Sequence, residues 1–242
     1  IRLGENPQMQ SIAFGKEIKI GSAKVSLHPA GHILGSAQVR VEVGGEVWVV
    51  SGDYKPQADQ TCEAFELVCC HGFISECTFG LPVYRWCEEQ KIHKEVNQWW
   101  QMNASEGRPS LLFAYSLGKA QRLLNEICKL NFQSNIYTHS SIYKMNNCYK
   151  RLGINIVNTK KFDKNQNIDD FKGSLILLPP GLNKGSYLKK FKDIQTGFAS
   201  GWMSIRALRK RSGYDKGFAI SDHADWEAIL KTVKESEAKN VF

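Results

Sequence analysis

The sequence lacks long apolar runs and cysteines at CxxC spacing, and these two absences exclude whole classes of protein. No uninterrupted apolar stretch in its 242 residues is long enough to cross a bilayer, and the chain does not open with the basic and then apolar segment of a secretory leader. Its seven cysteines show no CxxC spacing, which argues against a disulfide framework and a cysteine-ligated zinc knuckle. We therefore expect a soluble, cytoplasmic protein that has reduced thiols and does not contact a membrane.

Internal repeats and low-complexity segments are also absent, so the 242 residues are available for one large domain or two moderate ones. The formal net charge of +8 favours a polyanionic partner, although an excess of this size is also common on proteins that bind nothing acidic. The chain begins at Ile1 without an initiator methionine and stops at Phe242, where a new apolar run starts. These ends predict a fragment of a longer protein.

A candidate metal site comes from a glycine-rich loop and a β-hairpin. Residues 27–37 place His28 and His32 among glycines and a proline, and the alternating apolar residues of 39–50 predict a hairpin that ends just before Asp53. A histidine in such a loop and an aspartate after a buried strand are what a metal site at a sheet edge requires. A hydrogen-bonded loop role for each histidine is the alternative, because the proline and glycines argue against a helix that would put both on one face.

An acid and a third histidine form a second candidate group. Glu76 ends the apolar strand predicted at residues 67–75, where a carboxylate is costly unless it is paired, although a solvated or capping role stays open. His223 falls in the first turn of a predicted amphipathic helix, where an imidazole tends to be neutral unless an acid holds its proton. Glu76 is the candidate acid, and the pair could then act as a general acid. Asp222 and Asp225 have the spacing of a helix cap and are interpreted as structural.

The middle of the chain alternates predicted helices with predicted strands, which indicates an α/β fold with a mainly parallel sheet flanked by helices. Residues 160–172 are predicted to be a loop. The predicted helices cover residues 88–103, 117–130 and 141–151, and the predicted strands cover 110–115, 135–138, 154–158, 174–178, 196–202 and 217–220.

Candidate nucleic-acid contacts lie at one strand-to-helix junction and in two basic runs. Ser116 and Lys119 could bind phosphate at a helix N-terminus. Tyr115, Phe198 and Trp202 could stack on bases, although aromatic residues in strands more often belong to the core. The basic side chains could contact phosphates, an interaction favoured by counterion release, or form ordinary solvated surface, which we favour for Lys189 and Lys190. They are Lys184, Lys189, Lys190, Lys192, Arg206, Arg209, Lys210 and Arg211.

Six segments together resemble the β-CASP branch of the metallo-β-lactamase superfamily, and most of all its bacterial ligase-associated DNA exonucleases. The resemblance implies a partial metallo-β-lactamase αββα sandwich formed by residues 1–78 and 195–242, with residues 79–194 as an inserted β-CASP α/β domain. The segments are LHPAGHILGSAQVRVE, GEVWVVSGDYK, ECTFGLPVYRW, FAYSLGKAQRLL, FASGWM and SDHADW.

By this resemblance the protein would be a zinc-dependent nuclease with two Zn²⁺ ions that hydrolyses phosphodiester bonds. His32 would be a zinc ligand, Asp53 the catalytic carboxylate that bridges both ions, Glu76 the first β-CASP motif and His223 the second, which steadies the scissile phosphate or protonates the leaving oxygen. The superfamily's His-x-His-x-Asp-His motif and its last histidine motif are missing from this sequence. We therefore expect these 242 residues alone to bind zinc weakly and to cut nothing.

The resemblance further implies a role in DNA repair beside an ATP-dependent DNA ligase and a helicase. One alternative is an RNA-processing ribonuclease of the same branch, but Asp222 before His223 favours the DNA subgroup by resemblance. The other alternative is an inactive nucleic-acid-binding subunit. The retention of His32, Asp53 and Glu76 together with His223 argues against it.

Overall fold

Two six-stranded sheets form the frame of the protein in the residues that the structure describes. The structure, a computed structural model, describes residues 9–129, 135–183, 185–191 and 193–242. Across these ranges, no helix combines the length and apolarity that a membrane crossing needs.

The first sheet begins with two hairpins, and the second of them is the hairpin predicted at residues 39–50. Gly21 lies in the first turn, and Gly44 and Gly45 form the second with φ angles of +58° and +84°, which glycine adopts without steric cost. The predicted strand at 67–75 is shorter, because Cys70 donates its N–H to Ser236 outside the sheet. The strands are β1 (Ile18–Ile20), β2 (Ala23–Pro29), β3 (Ala37–Val43), β4 (Glu46–Val50) and β5 (Gly72–Ile74).

Strand direction in this sheet places three loops at one edge. β2 and β4 are each antiparallel to β3, and β5 is parallel to β4. β2, β4 and β5 therefore run the same way, and the loops that carry His32, Asp53 and Glu76 leave the sheet on the same side.

The rest of the chain forms the second sheet and its helices, and then returns to the first sheet. The regular elements are α1 (Glu89–Ser105), β6 (Ser110–Phe113), α2 (Lys119–Cys128), β7 (Ile136–Thr138), α3 (Ser140–Arg151), β8 (Lys160–Lys161), β9 (Leu175–Leu178), β10 (Gln195–Ala199), α4 (Arg206–Arg211), β11 (Lys216–Phe218), α5 (Trp226–Glu235) and β12 (Asn240–Val241). Short 3₁₀ helices occur at Ile168–Phe171, Pro180–Leu182, Ser186–Lys190 and Gly201–Ser204.

The second sheet has the order β11-β10-β6-β9-β7-β8, and all of its neighbouring strands are parallel. Residues of β6 and β9 point alternately to two cores. Leu112 and Leu177 pack with the helices, whereas Leu111 and Ile176 pack on the other face. Strands buried on both faces are typical of parallel sheets. The predicted α/β fold class with a mainly parallel sheet is confirmed.

The second sheet extends further along the chain than the sequence indicates. β10 pairs with β6, and β11 pairs with β10, so the predicted return to the first part at residue 195 lies inside the second sheet. Gly197 allows this placement, because a Cβ there would lie 2.9 Å from Phe218 and 3.1 Å from Trp99. The chain rejoins the first sheet only with α5 and β12, which pairs with β5.

Two local predictions are wrong. The strand predicted at 154–158 does not form, because Ile154 donates its N–H to Tyr149 at the end of α3, and the paired residues are those of β8, inside the predicted loop 160–172. The helix predicted to include His223 begins later, at Trp226. Asp225 caps this helix, since its Oδ1 accepts the N–H of Ala228 at 2.9 Å.

Candidate metal centre

The His32 loop is held rigidly where it leaves β2. Ala30 donates its N–H to the carbonyl of Ser36, and the Ser36 hydroxyl accepts the N–H of His32 at 3.1 Å. Gly31 has a φ of +71°, and a Cβ there would lie 2.3 Å from the carbonyl oxygen of Lys55. Only glycine can come this close to that carbonyl, so the backbone next to His32 is confined to this conformation.

Three side chains from different loops converge on one point. Ligand atoms of His32, Asp53 and His223 all lie within 4.8 Å of one another. The His32 Nε2 is 3.7 Å from the Asp53 Oδ2, and two ligands of one zinc ion lie about 3.4 Å apart, since each bond is about 2.1 Å long. The predicted convergence of His32 and Asp53 is therefore present.

His32 is oriented by the segment that carries His223. Its Nδ1 lies 2.8 Å from the carbonyl oxygen of Asp222. A carbonyl can only accept, so Nδ1 carries the proton and Nε2 has a free lone pair on the side of Asp53. His28, in contrast, has its two ring nitrogens 3.0 Å from the Ser26 hydroxyl and 2.8 Å from Glu66, so its interpretation as a hydrogen-bonded residue fits, although it lies in β2 and not in the loop.

The predicted pairing of Glu76 with His223 is also present. The His223 Nδ1 lies 2.8 Å from Glu76 Oε2, and Glu76 Oε1 accepts the N–H of Tyr54 at 2.8 Å. Burial lowers the pKa of His223, but the hydrogen bond and charge of Glu76 outweigh it, and with Asp222 and Asp53 they raise the pKa above its ordinary value. Because His223 lies before the first turn of α5, its raised pKa is due to Glu76 and not to the helix dipole.

Aromatic residues pack around His223. The Trp86 Nε1–H donates to the carbonyl of His223 at 2.9 Å, and the Phe79 ring centroid lies 5.8 Å from that of the imidazole. Trp202 packs on Phe79 at 4.8 Å and is 39% exposed. The ring of His223 is thereby fixed beside that of His32, at a centroid distance of 4.7 Å.

Three ion pairs, two of them buried on both sides and one between a buried lysine and a partly exposed glutamate, join the loops of the site to α1 and α2. The Lys119 ammonium lies 2.7 Å from Asp222 Oδ1, and both side chains are at most 6% exposed. Burial raises the pKa of Asp222, but the charge and the hydrogen bond of the Lys119 ammonium outweigh it and hold the pKa below its usual range. The other two pairs are Lys55 with Glu89 and Arg122 with Asp59.

The backbone of the site is bound by the same cations. Lys55 donates to the carbonyl of Ser221 at 2.9 Å, and Arg122 lies 3.4 Å from the carbonyl oxygens of Ser221 and Gly31. The sequence analysis missed Lys55 and Arg122. The i,i+3 spacing of Lys119 and Arg122 was the one signal that could have placed both on a single face of α2.

The predicted nucleic-acid contacts have different outcomes. The prediction that Lys119 binds phosphate is corrected, because its buried ammonium is bound to Asp222 and is not free for phosphate. Ser116 is partly exposed and lies beside the two imidazoles, with its hydroxyl 2.9 Å from that of Ser141. Phe198 stacks on Tyr214 in the core, whereas Tyr115 is 52% exposed.

The basic runs lie on the surface where the structure describes them. The exposed side chains are Lys189, Lys190, Arg206, Arg209, Lys210 and Arg211. Arg209 donates to the carbonyl of Met203 at 2.9 Å. Lys184 and Lys192 lie outside the described residues, and phosphate binding by the others stays a prediction.

The donor set fits a divalent metal ion of the zinc type. Imidazole nitrogen and carboxylate oxygen are ordinary zinc ligands, and His32, Asp53 and His223 offer one such atom each. Three atoms are enough for one catalytic-type site with an open position, but two zinc ions need more ligands than the described residues bring to this point.

The chain is similar in sequence to several curated proteins. No protein-family model matches the chain. A probable DNA ligase of Opitutus terrae is 28% identical over 220 residues, which cover 90% of this chain and 21% of that protein. Integrator complex subunit 11 of Danio rerio is 28% identical over 271 residues, covering 90% and 44%. Endoribonuclease YSH1 of Gibberella zeae is 30% identical over 123 residues, covering 49% and 14%.

A crystal structure of an Enterococcus faecalis protein of unknown function shares the fold. The TM-score is 0.62 at 12% identity, with 98% of this chain and 61% of that one covered. The chain spans less than half the length of the three curated relatives above. These relatives are members of the metallo-β-lactamase superfamily. Within the superfamily they are members of the β-CASP branch, so the resemblance seen in the sequence is confirmed.

Proposed function

We propose that this chain is part of a metal-dependent nuclease, and specifically of a zinc-dependent exonuclease that hydrolyses phosphodiester bonds in DNA. The convergence of His32, Asp53 and His223 carries the proposal. The curated relatives support it, because one is named a probable DNA ligase and another an endoribonuclease. The net charge of +8 suits a polyanionic substrate.

The two proposed metal ligands, His32 and Asp53, differ in their hydrogen bonding and exposure. His32 presents the Nε2 lone pair, because its Nδ1–H is bound to the carbonyl of Asp222. Asp53 has a half-exposed carboxylate that can face an ion and still be reached by solvent. Zinc held by these residues would lower the pKa of a bound water and offset charge on the phosphate oxygens.

His223 is the proposed proton donor to the leaving oxygen. Its Nδ1 is bound to Glu76, so a second proton on Nε2 can be donated towards a phosphate beside His32 and Asp53. A protonated imidazole cannot be a metal ligand, so in this proposal His223 faces the substrate, and His32 and Asp53 hold the metal. The full set of two zinc ions, implied by the resemblance, requires ligands beyond these two residues.

The test is a zinc-supplemented nuclease assay on the full-length protein that we expect to contain this chain. His32→Ala and Asp53→Ala should reduce cleavage of single-stranded DNA to background. His28→Ala is the matched control, because that imidazole lies four residues from His32 and bonds to Glu66 instead. Unchanged cleavage by the Asp53 variant would refute the proposal.

The second candidate is an RNA-processing ribonuclease, favoured by the match to an endoribonuclease. A matched single-stranded RNA substrate in the same assay separates the two, since the proposed enzyme should prefer the DNA. An inactive binding subunit is the third reading. It would be supported if no His-x-His-x-Asp-His sequence is encoded upstream of Ile1.

For the isolated 242 residues we keep the prediction of weak zinc binding and no cleavage. Metal analysis of the purified chain after dialysis should find less than stoichiometric zinc. Two tightly held zinc ions would contradict this prediction. A role in DNA repair beside an ATP-dependent ligase and a helicase is part of the proposal, supported by the relative that is named a probable DNA ligase.

A further inference from the structure

A cavity of about 400 Å³ opens directly beside the two imidazoles of the site. Tyr115, Ser116 and Leu117 follow β6, while Pro179 and Pro180 follow β9. β6 and β9 are neighbouring parallel strands, so both loops leave the same edge of the second sheet, where α/β proteins commonly bind ligands. The volume lies within the range of small-molecule sites.

Tyr115 presents an aromatic surface to this cavity. Its side chain is 52% exposed and belongs to neither core of the second sheet. The Lys119 ammonium lies 5.1 Å from its ring centroid, where a cation–π contact helps to hold the ring. Lys119 is itself fixed by Asp222, so the orientation of Tyr115 is tied to the same ion pair that supports the histidines.

The walls formed by Ile33, Leu117, Pro179 and Pro180 are apolar, and the hydroxyl of Ser116 is already 2.9 Å from that of Ser141, so few groups remain that could recognise the edge of a base. Asp222 reaches the cavity, but its carboxylate is already paired with Lys119. Among the described lining residues there is no asparagine, glutamine, arginine or lysine side chain. A flat ring in such a setting stacks on a nucleobase without selecting one base, as in sequence-tolerant single-strand binding.

We propose that this cavity binds the nucleoside next to the scissile phosphate, with its base stacked on Tyr115. The proposal rests on the proposed function, because that function places the phosphate at His32 and His223, which line one side of the same cavity. The base contributes affinity through stacking, and the lack of edge contacts makes the subsite tolerant of all four bases.

The test compares a nucleotide with a sugar phosphate that has a hydroxyl group in place of the base. The 242-residue chain, with zinc present, is titrated with deoxyadenosine monophosphate and with 2-deoxyribose 5-phosphate, and binding is followed by NMR of labelled tyrosine rings. The nucleotide should bind about tenfold more tightly, within the range of one base–aromatic stack. Tyr115→Ala should abolish the difference, whereas Tyr115→Phe should keep it.

Phe242→Ala is the matched control, because Phe242 is also an exposed aromatic residue and packs on Trp48 away from the cavity. It should leave the difference unchanged, and urea titration of each variant checks that the chain is folded. Equal affinity for both ligands in the wild type, or a difference that survives in Tyr115→Ala, would overturn the subsite. A preference above about tenfold for one of the four bases would also contradict it.

The outcomes separate this subsite from the nuclease proposal. If the full-length protein cuts neither DNA nor RNA while the base-dependent difference persists, only the proposed function fails. If it cuts nucleic acid and the difference is absent, only the subsite fails.

Discussion

At the scale of single residues, the site depends on glycines at which a Cβ atom would collide with a neighbouring segment of the chain. Gly31 is the sharpest case, because its positive φ and the carbonyl of Lys55 both exclude a side chain. Gly118 is similar, since a Cβ there would lie 2.1 Å from Ile33, next to His32. The glycine-rich loop was visible in the sequence. The reason for each glycine was not, because the colliding atoms belong to distant segments.

Gly31→Ala should destabilise the chain more than Gly15→Ala. Both residues have positive φ angles, of +71° and +72°, but no heavy atom lies within 4 Å of a Cβ at Gly15. The control should cost about 1–2 kcal/mol for the left-handed backbone alone, and the Gly31 variant at least about 2 kcal/mol more for the clash. Urea unfolding measures both. Equal losses would show that the loop relaxes freely.

Cys62 should be the slowest of four thiols to react with iodoacetamide. Burial and the charge of Asp59 raise its pKa from 9.0 to about 11, whereas Cys69, Cys77 and Cys87 are exposed. At pH 8 the Cys62 thiolate fraction is then about a hundredfold below that of an ordinary thiol. Timed alkylation with peptide mass analysis gives the order, and Cys62 labelling as fast as Cys87 would contradict it.

At the scale of elements, α1 and α2 bind the site loops through buried charge. The sequence predicted both helices, since their apolar residues recur at helical spacing. It did not reveal that Lys119 and Arg122 are buried, because a cation on an amphipathic helix has the same pattern whether it is solvated or paired. The sequence also placed His223 in a helix, whereas in the structure it lies in the extended segment before α5. That segment is fixed by the N–H of Ala224, which donates to the carbonyl of Tyr54, and a contact so distant in sequence could not be predicted.

Lys119→Met should cost about 3–5 kcal/mol of unfolding free energy, because it leaves the carboxylate of Asp222 buried and unpaired. Lys129→Met is the control. That lysine forms an exposed pair with Glu126, and its loss should cost at most about 1 kcal/mol. The double variant Lys119→Met with Asp222→Leu should recover part of the loss. Urea unfolding of all four proteins is the measurement, and similar costs for the two lysines would argue against the buried pair.

The same ion pair predicts a pH dependence of stability. The pKa of Asp222 is lower in the folded chain than its ordinary 3.8, so the unfolded chain binds the proton more readily. Its contribution to stability is therefore complete above about pH 5 and decreases as the pH falls through the ordinary value towards the folded one. The wild type should lose more stability than Lys119→Met between pH 5 and pH 3. Parallel curves would contradict this.

At the scale of the whole molecule, the centre joins the edges of two sheets. His32, Asp53 and Glu76 come from the first, and His223 follows β11 of the second. Hairpins and the strand–helix rhythm were predictable, because their partners are local in sequence. The membership of β10 and β11 in the second sheet was not predictable from the sequence. A short strand that contains glycine can pair with several sheet edges, and long-range packing decides which edge it joins.

Zinc should stabilise the whole chain against heat if the proposed centre forms. A ligand that binds only the folded state adds about 2.7 kcal/mol at one hundred times its dissociation constant. The unfolding midpoint of the wild type should therefore rise with zinc concentration, and that of His32→Ala should not. Calcium is the control ion, because it prefers oxygen ligands in larger number. An equal rise in the variant would indicate zinc binding elsewhere.

The hydrogen bond from His32 to the carbonyl of Asp222 has one more consequence. The two imidazoles belong to residues far apart in the chain, yet one peptide unit, between Asp222 and His223, is anchored to the first ring and carries the second. A displacement of that unit disturbs both together. The histidines should therefore gain or lose their working arrangement in a single step, with no stable intermediate in which just one of them is in place.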